Sequence, residues 1–254
     1  MITPGILFKA SLGAGRAFFR RSTPTHGDGS TPTHGNGSTL KMGRPLTAVL
    51  IPIRSMGPKH ARRIETHLLA LNPHDRYLRF GYAANDEQIK RYVDGLNFDR
   101  DEIFGIYNRR LQLIAMAHLA FSTDPQLKSC AEFGVSVLSH ARGRRYGAQL
   151  FDRAVIHARN NGVGMMFIHA LSENTVMLNI ARKAGAAIER DGSESEAYLK
   201  LPPANLDSRV AEMVEEQVAQ TDYRLKVQAK QFWEWLGLIQ DVRLGVRDGR
   251  DRMK

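Results

Sequence analysis

The chain has 254 residues, of which 43% are hydrophobic and 24% charged, and its net charge is +10. Its longest apolar run is interrupted by His118 and Pro125, so no segment reaches the roughly 18 consecutive apolar residues of a membrane-spanning helix. The lone cysteine, Cys130, excludes an internal disulfide framework and fits a reducing compartment, so we expect a cytoplasmic protein. No element interleaves basic residues with aromatic ones, and no nucleic-acid partner is expected.

Residues 1–45 are predicted to be a disordered basic tail. They carry six Lys or Arg against one Asp or Glu, whereas 46–202 carry 21 against 16 and 203–254 carry nine against nine. Residues 22–37 are a tandem octapeptide of Ser, Thr, Pro, His, Gly and one acidic or amide residue, which cannot bury enough apolar surface to order itself and predicts a flexible linker. Before it, 1–21 is either a disordered terminus or an amphipathic, transit-peptide-like segment.

Residues 46–202 are predicted to form one domain in which strands and helices alternate. Strands are predicted over 46–54, 103–108, 111–122, 128–138, 163–169, 186–189 and 196–201, and helices over 58–71, 85–96, 146–160 and 174–184. Asn85 is the predicted N-cap of the second helix and Gly95 its end. Between the first two helices, Pro73–Phe80 is predicted to be a loop whose Tyr77 and Phe80 enter the core. This order predicts an α/β (α+β) domain around a central sheet.

Residues 203–254 are predicted to form a long amphipathic helix. Apolar residues recur there mostly every three or four positions: Leu206, Val210, Met213, Val214, Val218, Leu225, Phe232, Leu236 and Ile239. Such a stripe has to be buried, and the sequence leaves two partners open, the chain's own domain or a second subunit in a homodimer.

The most informative segment, 130–185, combines an apolar strand, a basic loop with two glycines, and a helix that begins directly after the loop. A helix start binds anions because its first N–H groups lack intrahelical partners and the helix dipole is positive there. Gly143 and Gly147 allow the backbone to approach a bulky anion closely. Three arginines add positive charge, namely Arg142, Arg144 and Arg145. The pattern therefore predicts a site for a phosphate-bearing ligand.

The strand, the loop Arg-x-x-x-x-Gly-Ala and the following helix resemble motif A of the GNAT acyltransferase superfamily, whose loop cradles the pyrophosphate of acetyl-CoA. Arg142 and Gly147 match the first and last positions of the family pattern Gln/Arg-x-x-Gly-x-Gly/Ala, while Arg145 replaces the middle glycine. An arginine there is strained if the position needs a positive φ and harmless if it needs only a free N–H. The helix from Asn174 resembles motif B. The resemblance implies the GNAT fold, a mixed, mostly antiparallel sheet flanked by helices, here with a C-terminal helical extension.

The resemblance also implies acetyl-CoA as cosubstrate, without a metal, and a set of binding residues. The backbone of Val135 and Val137 would hold the pantetheine chain. The phosphates would lie against the loop and the helix start, that is Arg142, Gly143, Arg144, Arg145, Tyr146, Gly147 and Ala148, with Asn174 contributing from motif B.

For catalysis, the resemblance implies Glu132 as general base, and the alternative is a surface or salt-bridged glutamate. His118, on the adjacent strand, is a second candidate base, or a core histidine. Many family members carry a tyrosine as general acid where this chain has Ala181, which leaves Tyr146 and Tyr198 as alternatives. The predicted function is transfer of an acetyl group to a small-molecule amine or a protein lysine. The alternative is a non-catalytic CoA-binding module with an assembly or regulatory role, and Pro73–Phe80 is similar to a segment of protein-lysine acetyltransferases.

Overall fold

The computed structural model describes residues 51–127 and 129–251, and it describes side chains up to residue 231. The predicted tail and linker, and positions 46–50 of the first predicted strand, lie outside the described residues. So do the side chains of Phe232, Leu236 and Ile239.

In the described part of the chain, seven strands form one mixed sheet in the order β1-β2-β3-β4-β5-β7-β6. The strands are β1 Arg54–Ser55, β2 Glu102–Tyr107, β3 Leu113–Phe121, β4 Cys130–Val137, β5 Met165–Leu171, β6 Ala187–Asp191 and β7 Glu194–Lys200. Among these described strands, β4 and β5 alone pair in parallel, and the other neighbours are antiparallel. This confirms the predicted mixed, mostly antiparallel sheet. The strand predicted over 46–54 is wrong at 51–53, where Pro52 has no N–H for a strand ladder.

Six α-helices accompany the sheet in the described part of the chain. They are α1 Ala61–Leu69, α2 Pro73–Phe80, α3 Asp86–Asp94, α4 Tyr146–Asn160, α5 Thr175–Lys183 and α6 Leu206–Asp251. Asn85 caps α3 as predicted, since its side chain accepts a hydrogen bond from the Gln88 N–H. No helix among these residues is long and apolar enough to cross a membrane.

The loop predicted over Pro73–Phe80 is wrong, because this segment is helix α2. Its boundaries carry ordinary helix signals: Asn72 accepts a hydrogen bond from the Asp75 N–H at 2.8 Å, Pro73 occupies the first turn, and Gly81 ends the helix with φ of 78°. Phe80 is buried, as predicted. The helix places one more set of side chains above the sheet than the sequence analysis expected.

The two faces of the sheet carry separate apolar cores. On one face the odd-numbered residues of β4, such as Phe133, pack with α4 and α5; on the other, α1, α2 and α3 pack over β2 and β3. Even-numbered β4 residues point to this second face, where Ser136 bonds His67 of α1. Because strand side chains alternate, Glu132, Gly134 and Ser136 all lie on the α1–α3 face.

Strands β4 and β5 diverge after three rungs. Their register runs from Cys130↔Met165 to Glu132↔Phe167, whereas β5 stays paired with β7 along its whole length. Within residues 51–127 and 129–251, no strand therefore pairs with the C-terminal half of β4 on its β5 side. We call this opening the cleft.

The C-terminal helix α6 lies on α4 through polar contacts. Arg153, buried in α4, faces the carboxylates of Glu212, Glu215 and Glu216. The apolar stripe lies on the other side of α6 and is exposed to solvent, from 37% at Val218 to 80% at Leu206. Of the two arrangements left open by the sequence, the chain's own domain thus covers the side of α6 that carries these glutamates, together with Ala219 and Tyr223, and leaves the described part of the stripe uncovered.

Candidate active site

The loop before α4 contains two residues in the left-handed conformation, one on each side of Arg144. Gly143 has φ of 77° and Arg145 has φ of 62°. The middle position of the motif, Arg145, therefore has the positive φ that strains an arginine. This conformation costs roughly 1–2 kcal/mol. Helix α4 begins at Tyr146 without a side-chain cap.

This loop presents a run of unbonded backbone donors. Among the described residues, no hydrogen bond is made by the N–H groups of 143–148, and the first helical bond runs from the Gln149 N–H to the Arg145 carbonyl at 3.1 Å. The dipole of the 15-residue helix α4 adds positive potential at the same place. The geometry is that of an anion cradle, and it fits the phosphates of a nucleotide cofactor.

The three loop arginines differ in what they contact. Arg142 forms an ion pair with Asp75, a buried carboxylate of α2 that also accepts a hydrogen bond from Asn72 Nδ2 at 2.8 Å. Arg144 and Arg145 are exposed. The Arg142 side chain therefore ties the loop to α2, while the other two remain available to a ligand.

Gly147 faces the end of the cleft. A Cβ added at Gly147 would lie 3.6 Å from Ile180 Cδ1 of α5 and 4.0 Å from Val137 Cγ2 of β4. These are ordinary contacts, so the protein itself does not demand a glycine here. Tyr146 and Ala148, on either side, are half-buried.

The backbone of Val135 and Val137 faces into the cleft. Leu138 donates its N–H to Ile114 of β3 at 3.0 Å, and Cys130 accepts a bond from Ser122 at 3.0 Å. Even-numbered residues of β4 therefore bond to β3, and the odd-numbered amides point the other way, beyond the last β5 rung. These amides are free to bond an extended chain in the cleft.

Glu132 lies on the last rung that β4 shares with β5. Its side chain is half-buried, and no described residue forms a salt bridge or hydrogen bond with its carboxylate. Burial raises the pKa of Glu132, and the nearby charges of His169 and Arg79 offset this only in part. A carboxylate with a raised pKa at the mouth of a cleft can accept a proton from a substrate.

His118 uses both of its ring nitrogens within the protein. Nδ1 lies 2.7 Å from the Tyr92 hydroxyl, and Nε2 lies 3.2 Å from Asp101 Oδ2. Burial is the largest influence on its pKa, which is lowered. This arrangement orients Tyr92 and leaves neither nitrogen directed at a ligand.

Gly134 accommodates the guanidinium of Arg79. A Cβ at Gly134 would lie 2.7–2.9 Å from the guanidinium atoms Nη1, Cζ and Nη2, while the β3–β4 register passes through this position without a bulge. Arg79 could not be identified as a site residue from the sequence, because its place over β4 depends on contacts between residues 55 positions apart.

Three residues were considered in connection with a general acid, namely Ala181, Tyr146 and Tyr198. Ala181 is fully buried, and Tyr146 packs against the α4 core. Tyr198 shares a cross-strand row with Phe167 and Glu132, and its hydroxyl donates a hydrogen bond to Glu196. Burial and this bond raise the pKa of Tyr198.

Two further predicted residues have clear places. Asn174 caps α5, accepting a hydrogen bond from the Met177 N–H at 3.2 Å. Cys130 is buried, and burial raises the pKa of its thiol, which fits a core residue better than a nucleophile. In the described residues, no group of three or more His, Cys, Asp or Glu side chains could hold a metal ion.

The sequence matches the Acetyltransferase (GNAT) family over residues 69–186. The fold is similar to that of the GNAT domain of S. lividans PAT, with a TM-score of 0.51 and 17% identity over 59% of this chain and 89% of that one. It is also similar to a protein from Acinetobacter baylyi ADP1 assigned to the acetyltransferases, with a TM-score of 0.50 and 17% identity over 60% of this chain and 93% of that one. No curated protein matches the sequence.

Proposed function

Because this chain belongs to the GNAT acetyltransferase family, we propose that it transfers the acetyl group of acetyl-CoA to an amine by direct attack in a ternary complex. The acceptor is a small-molecule amine or a protein lysine. One observation carries the proposal: a raised-pKa carboxylate, a row of free strand amides and a run of unbonded N–H groups follow one another along β4 and into α4.

The loop and the cleft bind different parts of acetyl-CoA. The N–H groups of 143–148 hold the phosphates, assisted by the charges of Arg144 and Arg145. The amides of Val135 and Val137 hold the pantetheine chain, as a neighbouring strand would. Asn174 shapes the same end of the cleft by fixing the start of α5. Bound acetyl-CoA would supply an activated thioester carbonyl.

Glu132 acts on the acceptor. An amine is protonated at neutral pH and has to lose its proton before it can attack a carbonyl. The carboxylate of Glu132, with its raised pKa, accepts that proton at the mouth of the cleft. His118 is a positioning residue. Its ring contacts the Tyr92 hydroxyl, which in turn accepts a hydrogen bond from Arg79.

The test is release of CoA from acetyl-CoA in the presence of single amines and lysine-containing peptides. Glu132→Gln should lower the rate by about 10²–10⁴-fold, as expected for loss of a general base, with CoA affinity in calorimetry unchanged. Glu87→Gln, an exposed glutamate of α3, is the matched control and should behave like the unmodified protein.

Two other results would contradict the proposal in different ways. CoA binding without turnover on any amine would favour the non-catalytic module. The presence of Ala181 where many family members carry a tyrosine supports this alternative. A failure to bind CoA at all would refute the assignment of the loop and the cleft.

A further inference from the structure

Arg79 places a positive charge beside Glu132 on the α1–α3 face of the sheet. Its guanidinium lies directly over the Gly134 backbone, where an added Cβ would be 2.7 Å from Nη1. Glu132 and Gly134 are two residues apart on one strand and share this face. The Arg79 guanidinium and the Glu132 carboxylate thus border the same stretch of the cleft mouth.

Internal contacts hold this guanidinium in place but satisfy little of it. Nη2 donates to the Tyr92 hydroxyl at 2.9 Å, and the group lies 5.3 Å from the Phe80 ring centre and 5.6 Å from that of Tyr92. Nε is buried and has no hydrogen-bond partner, and Nη1 donates to none of the described residues. Of five N–H donors, the described protein therefore engages one.

The charge of Arg79 has no ion-pair partner in the described part of the chain. Two arginines close to the site differ from it in this respect: Arg142 pairs with Asp75, and Arg100 pairs with Asp101. The Glu132 carboxylate acts on this guanidinium electrostatically but forms no ion pair with it, so the guanidinium keeps donors for the anion of a ligand. Its planar fork suits a carboxylate.

A ligand that contacts both groups has to reach from one position of this face of β4 to the next. The Cα atoms of two such positions on a strand lie about 7 Å apart. An α-amino acid holds its nitrogen about 3 Å from its carboxylate oxygens, and one hydrogen bond of about 2.8 Å at each end lets it bridge that distance. We propose that the acceptor of this enzyme is an amine that carries a carboxylate close to the nitrogen, with Arg79 binding the carboxylate while Glu132 receives the ammonium proton.

This inference rests on the proposed function and adds the substrate class. Every acceptor has an amine, on which Glu132 acts, so Glu132 is the catalytic residue. Only some acceptors have a carboxylate, which Arg79 binds, so Arg79 is a specificity residue. Loss of Arg79 should therefore affect carboxylated acceptors and spare uncharged amines.

The experiment compares matched acceptors. The common amino acids and their decarboxylated amines are assayed in pairs for CoA release, together with a lysine peptide blocked at both ends. The unmodified enzyme should favour the amino acid of at least one pair by about 10- to 150-fold in kcat/KM, the range of one hydrogen bond to a charged group. Arg79→Gln should reduce this preference to a few-fold or less.

Gly134→Ala tests the same site without removing the charge. Its Cβ would displace the guanidinium, which is the far end of a flexible side chain and can move at little cost to the fold. The variant should lose the preference as Arg79→Gln does. Arg91→Gln, an exposed arginine of α3, is the matched control and should keep it.

The outcomes separate the two levels of the argument. Equal loss for both members of each pair in Arg79→Gln would show a merely structural role and overturn the inference, as would a preference for the decarboxylated amines or for the blocked peptide. Each of these three results would leave the proposed function intact. No turnover with any acceptor would refute the proposed function and the inference with it.

Discussion

Position 147 offers a direct test of the anion cradle. The fold should tolerate a valine at this position, whereas bound CoA phosphates should not. The Cβ of Gly147→Ala would meet Ile180 Cδ1 at 3.6 Å, an ordinary contact. Alanine also favours helix over glycine by up to about 1 kcal/mol. We expect this variant to keep or raise the Tm and to retain CoA binding, since the family pattern accepts Gly or Ala at this position.

Gly147→Val should fold but bind CoA poorly. Its two γ carbons extend beyond the Cβ towards Ile180 and Val137, or turn over the neighbouring N–H groups, and valine has little freedom to choose between these in a helix. Displacing the phosphates from two N–H donors would lose about 1.5–3 kcal/mol for each bond, which corresponds to roughly 100-fold or more in Kd.

Calorimetry with CoA on the three proteins, alongside thermal melts, decides the matter. The expected order of affinity is glycine about equal to alanine, with valine far weaker, at similar Tm. Added salt should weaken binding to the unmodified protein, since part of the attraction comes from arginine charge. Valine binding CoA as tightly as glycine would refute the placement of the phosphates at this loop.

Four further predictions follow from the described contacts. Arg145→Gly should raise the free energy of unfolding by about 1 kcal/mol, because glycine relieves the left-handed backbone, and a lower Tm would contradict this. The raised pKa of Glu132 should make kcat/KM rise with pH through that pKa. The stability that Glu132 contributes is present below its unfolded pKa of about 4.3 and is lost as the pH rises through its pKa in the folded protein. The Glu132→Gln variant should therefore be more stable than the unmodified protein at neutral pH, and not at pH 3. Val214→Glu, on the exposed stripe of α6, should lower the mass in light scattering without changing Tm if the stripe joins two copies, whereas removal of all residues after 203 should give aggregation or a smaller assembly. Removal of 1–40 should leave activity and Tm unchanged, and limited proteolysis should cut within 22–43 first; a broadened melt would show that this segment docks on the domain.

Local features of the domain could be predicted because they depend on residues close together in the chain. Helix α4 begins and ends where its periodicity predicts, and Asn85 caps α3. The failures were local too: helix α2 had an N-cap, a proline in its first turn and a terminal glycine, yet its short length concealed its periodicity. The loop before α4 carries its chemistry in consecutive residues, so the anion site could be proposed from sequence, although the conformation of Arg145 could not.

What the sequence by itself determined was therefore a family resemblance, the order of most elements and the segment proposed to bind a phosphate-bearing ligand, since periodicity, caps and a contiguous motif depend on residues that are close together in the chain. Only the tertiary structure decided that Arg142 pairs with Asp75, that Arg79 lies on Gly134 beside Glu132, and that α6 turns its glutamate-bearing side to the domain. Each of these joins residues more than 50 positions apart. Sheet register and helix packing, which sum many weak contacts across the whole domain, determine which distant side chains meet.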